Sequence, residues 1–341
     1  REAIMKKYII SIIIVAATLL VGCNHKDLCY HHPHTAKVRV DVDWSEFKQE
    51  TPTGMTVIAY SSQDDKTVKA LTNDIGRAYL NLEAGSYNTL SFNQSSSEFG
   101  SVEFRNLEIC AEAEVISTSQ SSRWYKTRNE IERVVFQPEW VATDFQEGAV
   151  VTDQMVKESM DHLANVPRSI TEYVIANHTP KNIVYTLYAK INIDGIHNLR
   201  SARAALSGMS EGYRFASGLY KNTEVTHLME NWKMTQISAD PTRGYINDKF
   251  YCFGLPDDHA ALSDENILHL ELLLVDNETI LKFDIPVGDL IVEVDPENLI
   301  LCLELDLGYT LPDVKPEGGA EGGFDVTVED WGEEEEYDVP L

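Results

Sequence analysis

Positive charge is scarce in this chain. Its 341 residues carry 28 Lys plus Arg against 55 Asp plus Glu, a formal net charge of −27. A surface of that sign repels phosphate backbones and anionic lipid head groups, which argues against nucleic-acid binding and against a polybasic membrane contact. Cysteine is also scarce, at five residues, and none is spaced C-x-x-C. Zinc-ribbon and thioredoxin-type redox sites therefore have no basis. The phosphate and dinucleotide loops and the H-E-x-x-H zinc helix are missing too, so no cofactor is expected. The longest apolar run, Tyr8 to Val21, is fourteen residues, short of the roughly 20 that a spanning helix needs. What remains is 43% hydrophobic residues, enough for packed cores rather than a disordered acidic chain.

The fourteen-residue run has a place. Lys6 and Lys7 precede it, and Leu20, Val21, Gly22 and Cys23 end it. A basic n-region, an apolar h-region and a small-residue cleavage site make a secretory signal. The terminal tetrapeptide resembles the bacterial lipobox. That resemblance implies lipid transfer to the Cys23 sulfur and cleavage before it, with Met5 as the expected start. Several acyl chains would satisfy the two-signal requirement for stable anchoring. Loss of residues 1–22 removes Arg1, Glu2, Lys6 and Lys7 and takes the net charge from −27 to −29. Cys29, Cys110, Cys252 and Cys302 remain, which allows three disulfide pairings. His25, His31, His32 and His34 crowd the tether over 23–35, but Pro33 breaks any helix that would group them, so they read as part of a leash.

From Ala36 the hydrophobic period becomes two. Val38, Val40, Val42 and Trp44 alternate with Arg39, Asp41 and Asp43, which is a half-buried strand. Further strands are expected over 55–60, 77–82, 87–92, 102–107, 183–193, 202–206, 213–216, 232–237, 249–255, 267–275, 279–285, 299–307 and 324–328. The turn residues at 83–86 predict a hairpin. The Ser-Gly-Met-Ser-Glu-Gly stretch at 207–212 predicts a loop. Helical spacing occurs once, over 151–164, where Met155, Val156, Met160 and Leu163 share a side. Short strands with turns between them indicate an all-β chain of β-sandwiches, and no strand–helix–strand alternation supports a parallel sheet. The expected organisation is an N-terminal domain over 36–165 and a C-terminal domain over 166–316. A Gly-rich linker and acidic tail follow over 317–341. That last part contains an alternating segment with Phe324, Val326 and Val328, then Trp331, which could add to a sheet edge. Asp257-Asp258-His259, and acidic loops at Asp240, Asp248 and Asp276, read as ordinary turns.

The order of these parts resembles a family. CNHKDLC at Cys23, then VRVDVDW, PTGMTVIAY and the long INIDGIHNLRSARAALSGMSEGYRFASG stretch are similar to the fimbrillin-like surface lipoproteins of Bacteroidetes, which build type V pili. The resemblance implies two transthyretin-like Greek-key β-sandwich domains in tandem, a non-enzymatic role, and attachment to the outer membrane through the N-terminal lipid. It implies other fimbrial subunits as partners and an adhesive ligand on a host or bacterial surface. Polymerising members are cleaved after an Arg by a trypsin-like protease, and loss of the first strand then opens a groove for a partner's strand. The matching position here is Arg39, inside the first expected strand. A retained Cys23 lipid fits an anchor or accessory subunit instead. A stalk or tip adhesin is a second reading. A surface glycan-binding lipoprotein is a third, with Trp124, Tyr125 and Trp232 as its stacking platform.

Overall fold

A computed structural model describes residues 34–48, 51–162 and 172–318. Strand β1 (Ala36–Val42) sends Val38, Val40 and Val42 inward and Lys37, Arg39 and Asp41 outward. It is the middle strand of a three-stranded sheet, parallel to β10 (Tyr173–His178) and antiparallel to β4 (Arg77–Leu82). The facing sheet runs β11 (Lys181–Asn182), β9 (Ala142–Val151), β5 (Gly85–Asn93), β2 (Met55–Ser61), β3 (Thr67–Thr72). Val38, Val40, Leu80, Leu82, Met55 and Val57 fill the space between them. Helix α1 (Asp153–His162) packs on β1. Its N-terminus is capped where the Met155 N–H donates to Thr152 Oγ1 at 3.2 Å, and Val156 enters the core.

The second sandwich joins two five-stranded sheets. One runs β17 (Lys233–Ile237), β18 (Asp240–Cys252), β12 (Tyr185–Asp194), β22 (Ile300–Thr310), β21 (Ile291–Asp295). The other runs β20 (Ile280–Pro286), β19 (Ile267–Leu274), β13 (Leu199–Ser210), β16 (Glu224–Met229), β8 (Val134–Val135). Leu187, Ile191, Leu206, Phe250, Leu270 and Leu303 are among its fully enclosed side chains. A fifth sheet, β15 (Leu219–Tyr220), β14 (Gly212–Arg214), β7 (Glu114–Ser117), β6 (Val102–Arg105), takes two strands from each half of the chain. It covers the second face of β2 and β5. Ile58, Tyr60, Leu90 and Phe92 there meet Phe104 from β6, together with Phe215 and Phe253 from the second half. Two-sided burial explains why MTVIAY is continuously apolar instead of alternating.

The all-β expectation holds, and four details of the sequence reading are corrected. Residues 83–86 are not a hairpin, because β4 and β5 lie in different sheets and the turn carries the chain across the sandwich. Strands β3, β7, β9, β10, β11, β15, β16 and β21 were not expected; β9 (ATDFQEGAVV), for one, is polar in its middle and lacks clean alternation. The chain does not divide at 165/166. Strands β10 and β11 return to the first sandwich, β12 opens the second at Tyr185, and β7 and β8 pair with strands of the second half. Among the described residues Cys110, Cys252 and Cys302 are free thiols, and Cys29 lies outside them. Cys252 and Cys302 occupy strands on opposite sides of β12, opposite Tyr185 and Tyr188, so two strand spacings and three residues of rise put them roughly 14 Å apart, beyond the reach of a disulfide.

The fourth correction concerns Ser207–Ser210, which continue β13 through a bulge rather than form a loop. Gly208 supplies the left-handed φ of +75° that this bulge needs, and a Cβ there would sit 2.6 Å from Asn266 Nδ2 and 2.9 Å from its backbone nitrogen. Buried Asn266 donates to the Ser207 carbonyl at 3.0 Å, and Ser207 Oγ donates to the Glu265 carbonyl at 2.8 Å. Gly208→Ala is expected to cost about 2–4 kcal/mol from combined strain and overpacking, seen as a lower denaturation midpoint. An unchanged midpoint would show that the bulge relaxes freely.

Candidate functional site

The lipobox residues Leu20, Val21, Gly22 and Cys23 and the terminal Phe324, Val326, Val328 and Trp331 lie outside the described residues. Arg39 lies inside them. It stands in register between Val174 of β10 on one side and Tyr79 of β4 on the other. Its guanidinium pairs with Asp41 at 2.7 Å and with Glu172. The Tyr79 hydroxyl donates to Glu172 at 2.9 Å, and with Arg39 it holds that carboxyl below its usual range. A protease must draw the scissile bond out as a free extended strand. Here that strand is the central one of its sheet, with Val38 and Val40 in the core.

At the other end the last described residues lie near a sheet edge that is unpaired among the described residues. After β22 the Leu311 N–H donates to the Asp194 carbonyl at 2.9 Å, Asn198 holds Asp313 at 3.0 Å, and the Glu317 N–H donates to the Val275 carbonyl at 3.0 Å. Val275 begins the turn into β20, which among the described residues pairs with β19 alone. Along this edge Leu281, Phe283, Ile285, Leu307 and Val314 pack against the core while staying only partly covered, and Phe283 meets Tyr309 at 5.5 Å. Residues 319–323 separate the last described residue, Gly318, from Phe324.

The two halves are locked by the segment 119–136, which crosses from the first onto the second. Gln120 donates to Val135 at 2.7 Å, and Val135 registers with His227 of β16. Burial works against ionisation of Glu132, but the Thr226 and Tyr125 hydroxyls, each 2.6 Å away, and Arg128 outweigh it and hold the carboxyl low. Buried Glu211 pairs with Arg133 and, at 2.9 Å, with Lys221, which also holds Glu114 at 2.9 Å. This segment carries Trp124 and Tyr125, and they form no stacking platform. Arg203 covers the Trp124 ring at 4.6 Å, the indole N–H is held by Glu230, Tyr125 is buried, and Trp232 lies in the core of the second sandwich.

Residues 208–212 read G-M-S-E-G, a match to the hydrolase nucleophile pattern that the sequence reading missed. The structure gives it no chemistry. Ser210 is fully buried in β13 and donates to the Lys221 carbonyl at 2.9 Å, with no strand-to-helix elbow to expose it.

A family model described as "Domain of unknown function (DUF5119)" matches residues 22–230. The chain belongs to the DUF5119 family. No curated protein matches it. Among solved structures, a candidate adhesin from Bacteroides ovatus ATCC 8483 is 14% identical, with 85% of this chain and 99% of that one covered and a TM-score of 0.53. The fimbrial anchor protein Mfa2 from Porphyromonas gingivalis is 11% identical over 80% and 90% of the two chains, with a TM-score of 0.48. The likeness is one of fold, and it agrees with the resemblance to fimbrillin-like proteins read from the sequence.

The DUF5119 match ends just after β16, so it spans the first sandwich, the shared sheet and the locking segment. His227 closes that span. It is completely buried, neither ring nitrogen has a partner among the described residues, and the Phe250 ring lies 5.5 Å away. Burial pushes its pKa down to about 3. Above about pH 6.5 the ring is neutral in both folded and unfolded chains. Below that, only the unfolded chain takes up the proton, so stability falls by about 1.4 kcal/mol per pH unit until the folded pKa is reached. His227→Leu is therefore expected to lose about 3 kcal/mol less than the unsubstituted chain between pH 7 and about pH 4 in chemical denaturation. Equal losses in the two proteins would show that His227 is not the group responsible.

Proposed function

We propose that this chain is a non-enzymatic cell-surface lipoprotein, the anchor or an accessory subunit of a type V-like fimbria, held to the outer membrane through Cys23. The observation that carries the reading is the position of β1. A polymerising subunit must give up its first strand after cleavage at an Arg, whereas here Arg39 sits in the middle strand of a sheet and that strand helps build the core. Retaining β1 means retaining everything before it, including the lipid site. The fold shared with a candidate adhesin of Bacteroides ovatus supports a surface role. Mass spectrometry of the chain taken from outer membranes should find an acylated N-terminus at Cys23. An N-terminus at Val40 would overturn the anchor role and favour a polymerising stalk subunit.

The chain's exit supports a contact with neighbouring subunits. The segment with Phe324, Val326 and Val328 has the alternation of a strand and begins six residues beyond Gly318, the last described residue, near an edge of β20 that is unpaired among the described residues. Main-chain pairing would give such a contact its affinity and the alternate side chains its register. The double variant Val326→Asp, Val328→Asp is expected to abolish co-purification of fimbrial subunits while moving the melting temperature by less than about 2 °C, an effect under roughly 0.5 kcal/mol. A large drop in melting temperature would instead make the segment an integral strand of its own sandwich.

A further inference from the structure

The outward face of the sheet built from β17, β18, β12, β22 and β21 takes no part in either core. Alternation sends Leu187, Ala189 and Ile191 of β12 inward and leaves Tyr188, Lys190 and Asn192 outside. Register sets Lys249, Asn247 and Tyr245 of β18 directly beside them. Tyr188 and Tyr251 are 44% and 42% exposed. Lys249 Nζ stands 5.7 Å from the Tyr188 ring and 5.0 Å from the Tyr251 ring, and among the described residues it makes no ion pair. Lys190 lies over the Tyr245 ring at 5.1 Å and is paired with Glu304 at 2.6 Å. These contacts hold the rings in place without covering both faces. Between Tyr188 and Tyr245 the surface dips into an open groove of about 450 Å³ that Asn247 and Glu304 also line.

We propose that this face binds a neutral oligosaccharide, with sugar rings on Tyr188 and Tyr245 and hydroxyls hydrogen-bonded by Asn247, Lys249 and the Lys190–Glu304 pair. Four residues of strand and one strand spacing put the two tyrosines roughly 14 Å apart, a span for several sugar units rather than one. Aromatic rings take the apolar faces of such a ligand, and the polar groups between them set its orientation. Charge selects the occupant. A net charge of −27 opposes a second copy of this chain and any acidic polymer. A cationic partner would meet Lys249, whose charge no carboxylate among the described residues offsets. A neutral polyhydroxylated ligand meets neither penalty. The inference needs only that the face be exposed at a surface, and it stands whether or not the chain joins a fimbria.

The full chain in detergent would be titrated by calorimetry with cellohexaose, maltohexaose, xylohexaose, mannohexaose and, as an acidic control, oligogalacturonate. At least one neutral hexasaccharide is expected to bind with a Kd below about 1 mM. Tyr188→Ala and Tyr245→Ala should each weaken it by roughly tenfold or more, and Lys249→Ala by a smaller factor, with far-UV circular dichroism unchanged. Trp124→Ala should leave it intact. The proposal is overturned if no neutral hexasaccharide binds, if only the acidic one does, or if the Tyr188→Ala, Tyr245→Ala double variant binds as well as the unsubstituted chain.

Discussion

Strands β2 and β5 are buried on both faces, and the rest of the architecture follows from covering them. One face is closed by the sheet centred on β1. The other is closed by aromatic packing in which Phe92 stacks on Phe104 at 4.5 Å and meets Phe215 at 6.2 Å. Each such ring pair adds about 0.5–1.5 kcal/mol beyond the area it buries. Because Phe215 and Phe253 come from the second half, the first sandwich is complete only when the second has been delivered to it. The shared sheet and the segment 119–136 then follow as the backbone and ion-pair closure of a junction whose apolar part is already required.

That junction bears on function through rigidity. In the proposed role the chain is tethered at one end and contacts neighbours at the other, and it must transmit force between the two. Here the route runs from β1 through the double-sided sheet into the second sandwich, with Glu211, Arg133, Lys221 and Glu114 bracing it. Buried ion pairs of this kind add little net stability against apolar packing, but removing one partner leaves the other charge stranded. The lock is specific more than it is strong. It also places the tyrosine-bearing sheet face and the β20 edge on one fixed body, so the two surfaces keep a constant relation.

Much of this was legible in advance. The alternation of β1, β4 and β12 showed on the page, because each buries one face and exposes the other. Strand β9 did not, since its middle is polar and half exposed and its place is set by pairing with β5. The Leu-Ser-Gly-Met stretch has the composition of a loop, and only the closeness of Asn266 shows it to be a bulge. Trp124 looked like a platform because aromatic residues in a polar loop often are. Arg203 and Glu230, about 80 and 106 residues further along the chain, reach it only in the folded protein.

The sequence by itself determined the acidity and the strand character of the chain, because charge and a two-residue period are local properties. Tertiary structure alone decided which strands share a sheet, where the halves part and which aromatics face water. It carried β4 and β5 into different sheets, returned β10 to β1, and put Tyr188 and Tyr251 outside while Trp232 went in. The reason is physical. A strand's period says that it has a buried face, but the surface that buries it is chosen by residues a hundred positions away, whose cost of approach is repaid only when the whole core closes.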